Sequence, residues 1–223
     1  MTEKGGRMKI KTVSAILFLA VVAGAILILQ NNNGGEVMAA AETTTKVNSS
    51  KKVLVAYFSK AGEQYSVGTI KKGNTEIIAE MIAAKTGGDT FEIKVKNDKY
   101  PKAYKDLIDY AQTEKRKNER PEIAGKVNNF ADYDIVFIGY PNWWGDMPMP
   151  VYTFLESYDF SGKTVIPFGT HEGSGLASSE SRIKSITKAK EVNRGLGIYG
   201  HTAQNSKAEA DKKVSDWLKN LGF

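Results

Sequence analysis

The sequence predicts an α/β domain with a doubly wound parallel sheet. Short apolar segments of strand length alternate along the chain with segments of helical periodicity, a pattern produced by helices that cross over both faces of a parallel sheet. Residues 52–223 contain five segments of the first kind and five of the second. No internal repeat or low-complexity run breaks the alternation in this part of the sequence, so one domain is expected there.

The predicted strands follow the apolar runs. The first is KVLVAYFS at residues 52–59, and the most strongly apolar are DIVFIGYP at 134–141 and KTVIPFGT at 163–170. The segment TFEIK at 90–94 alternates apolar with polar residues, which is typical of an edge strand. The segment EVNRGLGIYG at 191–200 supplies the fifth strand.

Five helices are predicted between and after these strands. They occupy residues 74–85, 103–117, 150–158, 178–188 and 209–221. The last one carries an apolar stripe with members at i, i+4, i+7, i+8 and i+11, namely Ala210, Val214, Trp217, Leu218 and Leu221. Such a stripe indicates a helix that packs on the sheet along one face.

The composition excludes several classes of chemistry. The chain has no cysteine, which rules out disulfides, thiolate nucleophiles, cysteine-bound zinc and iron–sulfur clusters. The net charge of +6 is spread thinly over 223 residues, and no basic stripe interleaved with aromatic residues indicates nucleic-acid binding. No nucleic-acid partner is therefore expected, and any redox chemistry has to come from an added cofactor.

The amino-terminal residues predict attachment to a membrane. Residues 1–11 are a basic cytoplasmic end, and residues 12–30 form an uncharged, largely apolar segment. At about 1.5 Å per residue this segment nearly spans a hydrocarbon core about 30 Å thick. Because basic flanks stay in the cytoplasm, we expect the flexible linker at 31–51 and the domain at 52–223 to lie outside.

Two interpretations of this apolar segment stay open. The stretch VMAAAE offers small residues at Ala39 and Ala41, so that cleavage near Ala41 would release a secreted domain. The polar stretch QNNNGGE separates that position widely from the apolar segment, which favours an uncleaved membrane anchor.

Three loops are candidates for a ligand site, because open parallel sheets bind ligands beyond the carboxyl ends of their strands. The first loop covers residues 59–76. Asn74 or Thr75 is a natural N-cap, and the amides of that first helical turn attract an anion to which the hydroxyls of Ser59 and Thr75 can donate. The alternative is that these residues only cap the helix.

The second loop, YPNWWGDMPMP at 140–150, has the features of a site for a flat ligand. Trp143 and Trp144 offer a stacking face, Gly145 lets the backbone approach a ligand closely, and two prolines start the next helix rigidly. The alternative is that at least one of the two indoles covers the core from above.

The third loop, GTHEGSGLASS at 169–179, carries only fragments of known motifs. GSGLAS is one residue short of a dinucleotide fingerprint, and His171-Glu172 lacks the second histidine of a zinc-binding helix. A triad of Ser174, His201 and an acid lacks the nucleophile elbow that such hydrolases use. The default role of His171 and His201 is hydrogen bonding within loops.

Together these segments resemble the flavodoxin family, in particular its branch with a long first loop and a Tyr-Pro-x-Trp-Trp-Gly segment. YFSKAG, GNTEIIAE, YPNWWGDMP and GKTVIPFGTHEGSG occur in the order and spacing of that family, over residues 51–223. The resemblance implies a flavodoxin-like sheet of five strands in the order 2-1-3-4-5 with helices on both faces. It also implies one noncovalently bound FMN at the edge formed by the three loops.

The resemblance assigns roles to residues of all three loops. The phosphate would be held by Ser59, Ala61, Gly62, Asn74 and Thr75. The isoalloxazine ring would be lined by Pro141, Asn142, Trp143, Trp144 and Gly145. Its other side would be closed by Thr170, His171, Gly173, Ser174 and Gly175. No catalytic or metal-binding residue is implied.

Two departures from the family pattern affect these expectations. Residues 63–73 interrupt the compact phosphate loop, so Tyr65 is a second candidate to cover the ring. The domain is also slightly basic, whereas flavodoxins that shuttle electrons are usually acidic, and the redox partner stays unknown. Stacked indoles and the nearby acids Asp146 and Glu172 are expected to lower the potential of the flavin.

Three functions are open at this point. The expected one is an FMN electron-transfer protein held on the outer face of the membrane. The second is an FMN-dependent reductase that passes hydride from NAD(P)H to a quinone. The third is a flavin-free domain that kept the fold and binds another ligand or a protein.

Overall fold

A parallel sheet forms the centre of the computed structural model, which describes residues 51–223. The strands in chain order are β1 (Val53–Tyr57), β2 (Gly62–Gln64), β3 (Gly68–Ile70), β4 (Asp89–Glu92), β5 (Lys94–Val95), β6 (Ile123–Ala124), β7 (Ile135–Pro141), β8 (Thr164–His171), β9 (Glu191–Val192) and β10 (Leu196–Tyr199). The helices are α1 (Asn74–Thr86), α2 (Tyr104–Arg116), α3 (Met149–Glu156), α4 (Ser179–Thr187), α5 (Gly200–Asn205) and α6 (Lys207–Asn220).

The order of the strands in the central sheet is β4-β1-β7-β8-β10, and every neighbouring pair is parallel. Counted along the chain, these are the second, first, third, fourth and fifth predicted strands, so the order 2-1-3-4-5 is confirmed. Strand order reverses around β1, whose two neighbours are β4 and β7. The carboxyl ends of β1 and β7 therefore flank the topological switch point, where ligands bind in such sheets.

Alternating residues of the central strands enter two separate cores. Leu54 and Val136 face a core that includes Phe154 of α3, and α2 and α4 pack in the same layer. Val55 faces a core that includes Ile82 of α1, and α5 and α6 pack there. The period of two along each strand sends consecutive side chains to opposite faces, so both faces of the sheet are covered as predicted.

The carboxyl-terminal helix packs as its apolar stripe predicts. Ala210, Val214 and Leu218 of α6 are buried in the second core. Trp217 is partly buried against the same core, and its ring lies 5.7 Å from the ring of Phe137 in β7. The helix therefore closes one face of the sheet.

The predicted fifth strand at 191–200 is divided in the structure. β9 pairs with the beginning of β8 and β10 with its end, and the register shifts by one residue between the two pairings. Pro167 of β8 lies at the interruption and has no amide to donate to a neighbouring strand. Glycine at position 195 fits there because a Cβ atom would lie 2.7 Å from the Pro167 carbonyl oxygen.

Some short elements were not expected from the sequence. The first loop contains the antiparallel hairpin β2-β3, and β5 pairs with β6 across the segment that holds α2. Strands of two or three residues are too short to show a periodic pattern. Helix α5, at residues predicted as the end of a strand and a loop, is also too short to be recognised by periodicity.

The predicted basic end (1–11), the membrane segment (12–30) and nearly all of the linker (31–51) lie outside the described residues. Within residues 51–223, every helix is too short or too polar to cross a bilayer.

Replacement of Gly139 by alanine should destabilise the sheet. Gly139 of β7 lies beside Phe168 of β8, and a Cβ atom would lie 2.2 Å from the Cζ atom of that ring. We expect Gly139→Ala to lower the free energy of unfolding in urea by roughly 1–3 kcal/mol, the usual cost of overpacking a core. Phe168→Leu removes the atoms in conflict, so the double variant should lose less stability than the two single variants summed. Strict additivity would contradict this account.

Candidate cofactor site

The carboxyl ends of β1, β7 and β8 open into a cavity of about 270 Å³. Seven residues predicted from the sequence line this cavity, namely Asn74, Pro141, Asn142, Trp143, Thr170, His171 and Ser174. Tyr65, the second candidate to cover the ring, and Glu172, a candidate acid near the flavin, also line it, whereas the lining residues Gln64 and Tyr104 were not expected from the sequence. Residues from all three loops therefore come together at the switch point of the sheet.

The beginning of α1 forms one end of this site. The N-cap residue is Gly73, which corrects the expectation that Asn74 or Thr75 caps the helix. Gly73 has no side chain to accept a hydrogen bond, and the hydroxyl oxygen of Ser59 accepts one from the Glu76 amide at 3.1 Å instead. A Cβ atom at Gly73 would lie 2.1 Å from that hydroxyl oxygen, so the cap requires a glycine there.

The amides of Asn74 and Thr75 have no acceptor within the helix, as in any first helical turn. They lie at the positive end of the helix dipole, where anions are stabilised. The hydroxyl of Thr75 is buried and pairs with the hydroxyl of Thr170 at 2.8 Å, which joins the start of α1 to the end of β8.

Helix α5 holds two of the loops in place. The side-chain amide of Gln204 donates to the Lys72 carbonyl at 2.7 Å and to the Asn74 side-chain oxygen at 2.8 Å. The Glu172 carboxylate accepts from the backbone amide of His201 at 2.8 Å and contacts its imidazole Nδ1 at 2.6 Å. The sequence did not indicate this helix, because it is short and its polar contacts are with residues that are distant in the chain.

The middle loop contains a tight turn. Trp143 and Asp146 exchange two backbone hydrogen bonds of 2.9 and 3.1 Å around Trp144 and Gly145, which both have positive φ angles. A two-residue turn with positive φ at both positions is typical of type I′. The Asn142 side chain accepts from the Gly145 amide and donates to the Gly175 carbonyl at 2.7 Å, so it joins the second loop to the third.

The two tryptophans have different surroundings. Trp143 lines the main cavity and packs edge-on against Phe58, with ring centroids 5.4 Å apart. Trp144 is 47% exposed, and its indole donates to the Ile108 carbonyl of α2 at 2.9 Å. Trp144 borders a smaller cavity of about 90 Å³, which shares Trp143 with the main one. Contact between Trp144 and a flavin ring stays a prediction.

The hairpin β2-β3 and the start of α2 each bring one tyrosine to the cavity, Tyr65 and Tyr104 respectively. The rings of Tyr65 and Tyr104 are 5.7 Å apart and tilted by 31°. The hairpin is fixed to the start of α2 because the Glu63 amide donates to the Lys102 carbonyl at 3.1 Å and the Glu63 carboxylate accepts from the Tyr104 amide at 2.9 Å. Aromatic rings from the first loop, the second loop and α2 therefore line the cavity.

In the third loop, a histidine supports the backbone. The Nδ1 atom of His171 accepts a hydrogen bond from the Gly173 amide at 2.9 Å. Burial lowers the pKa of the His171 imidazole, which favours the neutral ring. Because Nδ1 accepts the hydrogen bond of the Gly173 amide, the proton of the neutral ring is on Nε2. His201 pairs with Glu172, and within the described residues it makes no hydrogen bond with Ser174.

The two acids near the site differ in how their charge is balanced. Asp146 is buried, accepts from the Tyr152 hydroxyl at 3.0 Å, and lies 3.3 Å from the Lys115 ammonium and 3.4 Å from the Arg182 guanidinium. Burial beside this carboxylate raises the pKa of Tyr152 to about 12. Glu172 lines the cavity itself. Among these two acids, Glu172 is therefore the one that faces a bound ligand.

The remaining predicted residues are near the cavity but do not line it. They are Ser59, Ala61, Gly62, Thr75, Trp144, Gly145, Gly173 and Gly175. The hydrogen bonds described above give several of them a supporting role in the loops. Within residues 51–223 no group of three acidic or histidine side chains is placed to hold a metal ion.

Comparison with known proteins agrees with this arrangement. The family model described as flavodoxin matches residues 52–221. The flavodoxin of Synechocystis sp. is 29% identical over 136 residues, which cover 59% of this chain and 64% of that protein. The chain thus spans somewhat less than two thirds of that relative. The flavodoxin of Picosynechococcus sp. is 27% identical over 151 residues, 63% of this chain and 74% of that protein.

Solved structures show the same fold. A crystal structure described as that of a flavoprotein from Bacteroides eggerthii has a TM-score of 0.61 and 30% identity, over 77% of this chain and 98% of that one. A flavoprotein from Lactobacillus acidophilus in complex with FMN has a TM-score of 0.52 and 23% identity, over 70% of this chain and 97% of that one.

The family match covers most of the chain and coincides with the sheet order, the switch-point cavity and the three loops around it. This chain belongs to the flavodoxin family.

Proposed function

We propose that this protein is an FMN-binding electron carrier whose domain is held on the outer side of a membrane by its amino-terminal segment. The observation that carries the proposal is the cavity at the switch point, which has a helix N-terminus at one end and aromatic side chains at the other. FMN has an anionic phosphate and a flat aromatic ring, so its two ends match the two ends of this site.

At the phosphate end of the site, the backbone amides at the start of α1 can bind an anion. Ser59 takes over the capping of α1, which leaves the amides of Asn74 and Thr75 for a ligand. Gly73 lets Ser59 reach this capping position, because a Cβ atom at residue 73 would lie 2.1 Å from the Ser59 hydroxyl oxygen. This fit does not require a lysine, and it agrees with the predicted roles of Ser59, Asn74 and Thr75.

The ring end fits a flat aromatic group. Trp143, Tyr65 and Tyr104 all line the cavity, and the rings of the two tyrosines lie 5.7 Å apart. The neutral His171 and the amide side chain of Asn142 add polar atoms at the edge without adding a net charge. Glu172 supplies the negative charge that faces the ligand.

Bound FMN would supply the redox chemistry, while the protein binds and orients it. The electron-carrier role is favoured over the reductase because FMN itself would fill the cavity at the switch point, and the cavity that adjoins it is much smaller. The adjoining cavity measures about 90 Å³, one third of the volume of the main cavity of about 270 Å³. In this part of the chain a nicotinamide dinucleotide therefore lacks a preformed site beside the ring.

Loading with FMN tests the cofactor and the role together. The domain at residues 42–223, mixed with FMN and freed of excess, should show flavin absorption bands and quenched flavin fluorescence. It should oxidise NAD(P)H with a quinone acceptor no faster than an equal concentration of free FMN does. A colourless protein would contradict FMN binding, and steady NAD(P)H oxidation above that of free FMN would favour the reductase.

Membrane attachment has a separate test. The full chain should remain in the membrane fraction after a carbonate wash. Protease added to spheroplasts whose cytoplasmic membrane is intact should digest the domain. Deletion of residues 12–30 should make the protein fractionate with soluble proteins. Release of a mature chain that begins near Glu42 would instead show that the segment is a cleaved signal.

Gln204 should affect recognition of the phosphate more than recognition of the ring. Its side chain bonds to Lys72 and Asn74 at the start of α1, and it does not line the cavity. Loss of such hydrogen bonds costs about 1 kcal/mol, so Gln204→Ala should weaken FMN binding roughly fivefold. Riboflavin, which has no phosphate, should bind as it does to the unaltered protein.

The matched control is Asn205→Ala, which changes the exposed last residue of the same helix. Its affinities for FMN and riboflavin should both stay unchanged in fluorescence titrations. Equal weakening of both ligands by Gln204→Ala would show that the helix supports the whole site and not the phosphate end.

A further inference from the structure

Three aromatic side chains that can be oxidised connect the cofactor cavity with the solvent. Trp143 lines the cavity, and its ring centroid lies 5.5 Å from that of Tyr100. The ring of Tyr100 lies 5.3 Å from that of Tyr110 in α2. Tyr100 is buried, whereas Tyr110 is 37% exposed. Each ring packs against the next, so an electron has to move only a short distance from one ring to its neighbour.

A buried carboxylate stands beside the middle member of this succession. Glu114 is only 4% exposed, and its Oε2 atom accepts the hydrogen bond of the Tyr100 hydroxyl at 2.6 Å. Burial raises the pKa of the Glu114 carboxyl and also that of the Tyr100 phenol. The binding of a flavin makes no use of Glu114, because this residue does not line the cofactor cavity.

This pair meets a chemical requirement of tyrosine oxidation. A phenol that loses an electron becomes a strong acid, so its proton must have an acceptor within hydrogen-bond reach. Glu114 offers that acceptor at Tyr100. Tyr65 and Tyr104 also line the cavity, but within the described residues neither hydroxyl donates to a carboxylate.

We propose that Tyr110, Tyr100 and Trp143 form a relay that carries one electron from the surface to the cofactor cavity, with Glu114 as the proton acceptor of Tyr100. The inference rests on the FMN site proposed above, and the oxidant is the photo-excited flavin ring. The relay returns an electron to the oxidised Trp143 and so prevents irreversible oxidation of this side chain beside the cofactor.

Each step is balanced. Trp143 gives one electron to the excited ring and becomes a cation radical. Tyr100 gives one electron to Trp143 and its hydroxyl proton to Glu114. Tyr110 then gives one electron to Tyr100, which takes its proton back from Glu114, and Tyr110 loses its own proton to water. The net result is the transfer of one electron from Tyr110 to the cofactor and of one proton to solvent.

The surface end of the relay is accessible to solvent molecules. Tyr100, Tyr110 and Glu114 line a cleft of about 420 Å³ that is separate from the cofactor cavity. A water molecule can reach Tyr110 there, and so can a small reductant. The oxidised residue is thereby placed where it can be repaired without entry to the cofactor site.

Illumination of the FMN-loaded domain tests the relay. FMN occupancy is first measured by absorbance, and the protein is then exposed to blue light in air and analysed by peptide mass spectrometry. Tyr199, which is 40% exposed and whose ring lies 4.6 Å from that of the cavity residue His171, is a stringent internal reference because reactive oxygen formed at the cofactor reaches it at least as easily as Tyr110. We expect Tyr110 to be oxidised several-fold more than Tyr199, and Trp143 to be spared.

Glu114→Gln is the decisive variant, because the amide oxygen can still accept the Tyr100 hydrogen bond but is a far weaker base. In this variant oxidation of Tyr110 should fall to the level of Tyr199, and oxidation of Trp143 should rise several-fold. Tyr110→Phe changes an exposed residue and should also raise Trp143 oxidation. The matched control is Tyr158→Phe, remote from the cavity, which should behave as the unaltered protein.

Specific results would overturn the relay. Unaltered oxidation of Trp143 in both Glu114→Gln and Tyr110→Phe would exclude it, and so would a rise of equal size in Tyr158→Phe. If Tyr104→Phe alone caused the rise, the electron would reach Trp143 through Tyr104 at the start of α2 and not through Tyr100. A domain that binds no FMN would contradict the proposed function, whereas one that binds FMN without preferential Tyr110 oxidation would contradict only the relay.

Discussion

The reversal of strand order around β1 is the constraint on which the site depends. Parallel strands need crossover helices, so each strand ends at the same edge and each crossover begins there. Because β4 and β7 lie on opposite sides of β1, the loops after β1 and β7 run to opposite faces of the sheet. They leave a space between them at the carboxyl ends of these strands. The cavity occupies that space, and the loops after β7 and β8 form its walls.

The loops keep their shape through hydrogen bonds from side chains to backbone. Ser59 caps a helix to which it does not belong, Asn142 joins two loops, and His171 holds an amide of its own loop. A loop has no ladder or helix to satisfy its amides and carbonyls, and buried groups without partners are costly. These polar side chains therefore make an irregular surface rigid enough to position a ligand.

Within residues 51–223 the sequence predicted the five strands of the central sheet, five of the six helices and the position of the site, because long apolar periods and strand ends are local signals. The alternative that at least one of the two indoles covers the core holds for Trp143. The sequence could not show which indole it is, since their separation depends on two positive φ angles and on a hydrogen bond to α2. Gln204 and Tyr104 were missed for a similar reason. Each reaches the site from an element that is distant in sequence, and neither forms part of a motif.

Trp143 shows how one side chain can serve packing and chemistry at once. Its edge-on contacts with Phe58 and Tyr100 bury one side of the indole, while the other side borders the cavity. A ring fixed in this way cannot turn away from a bound cofactor, so it would be oxidised repeatedly if it had no donor behind it. Tyr100 is packed directly behind it and is held in place by Glu114. The same contacts that make the wall of the cavity rigid therefore supply the route by which that wall can be repaired.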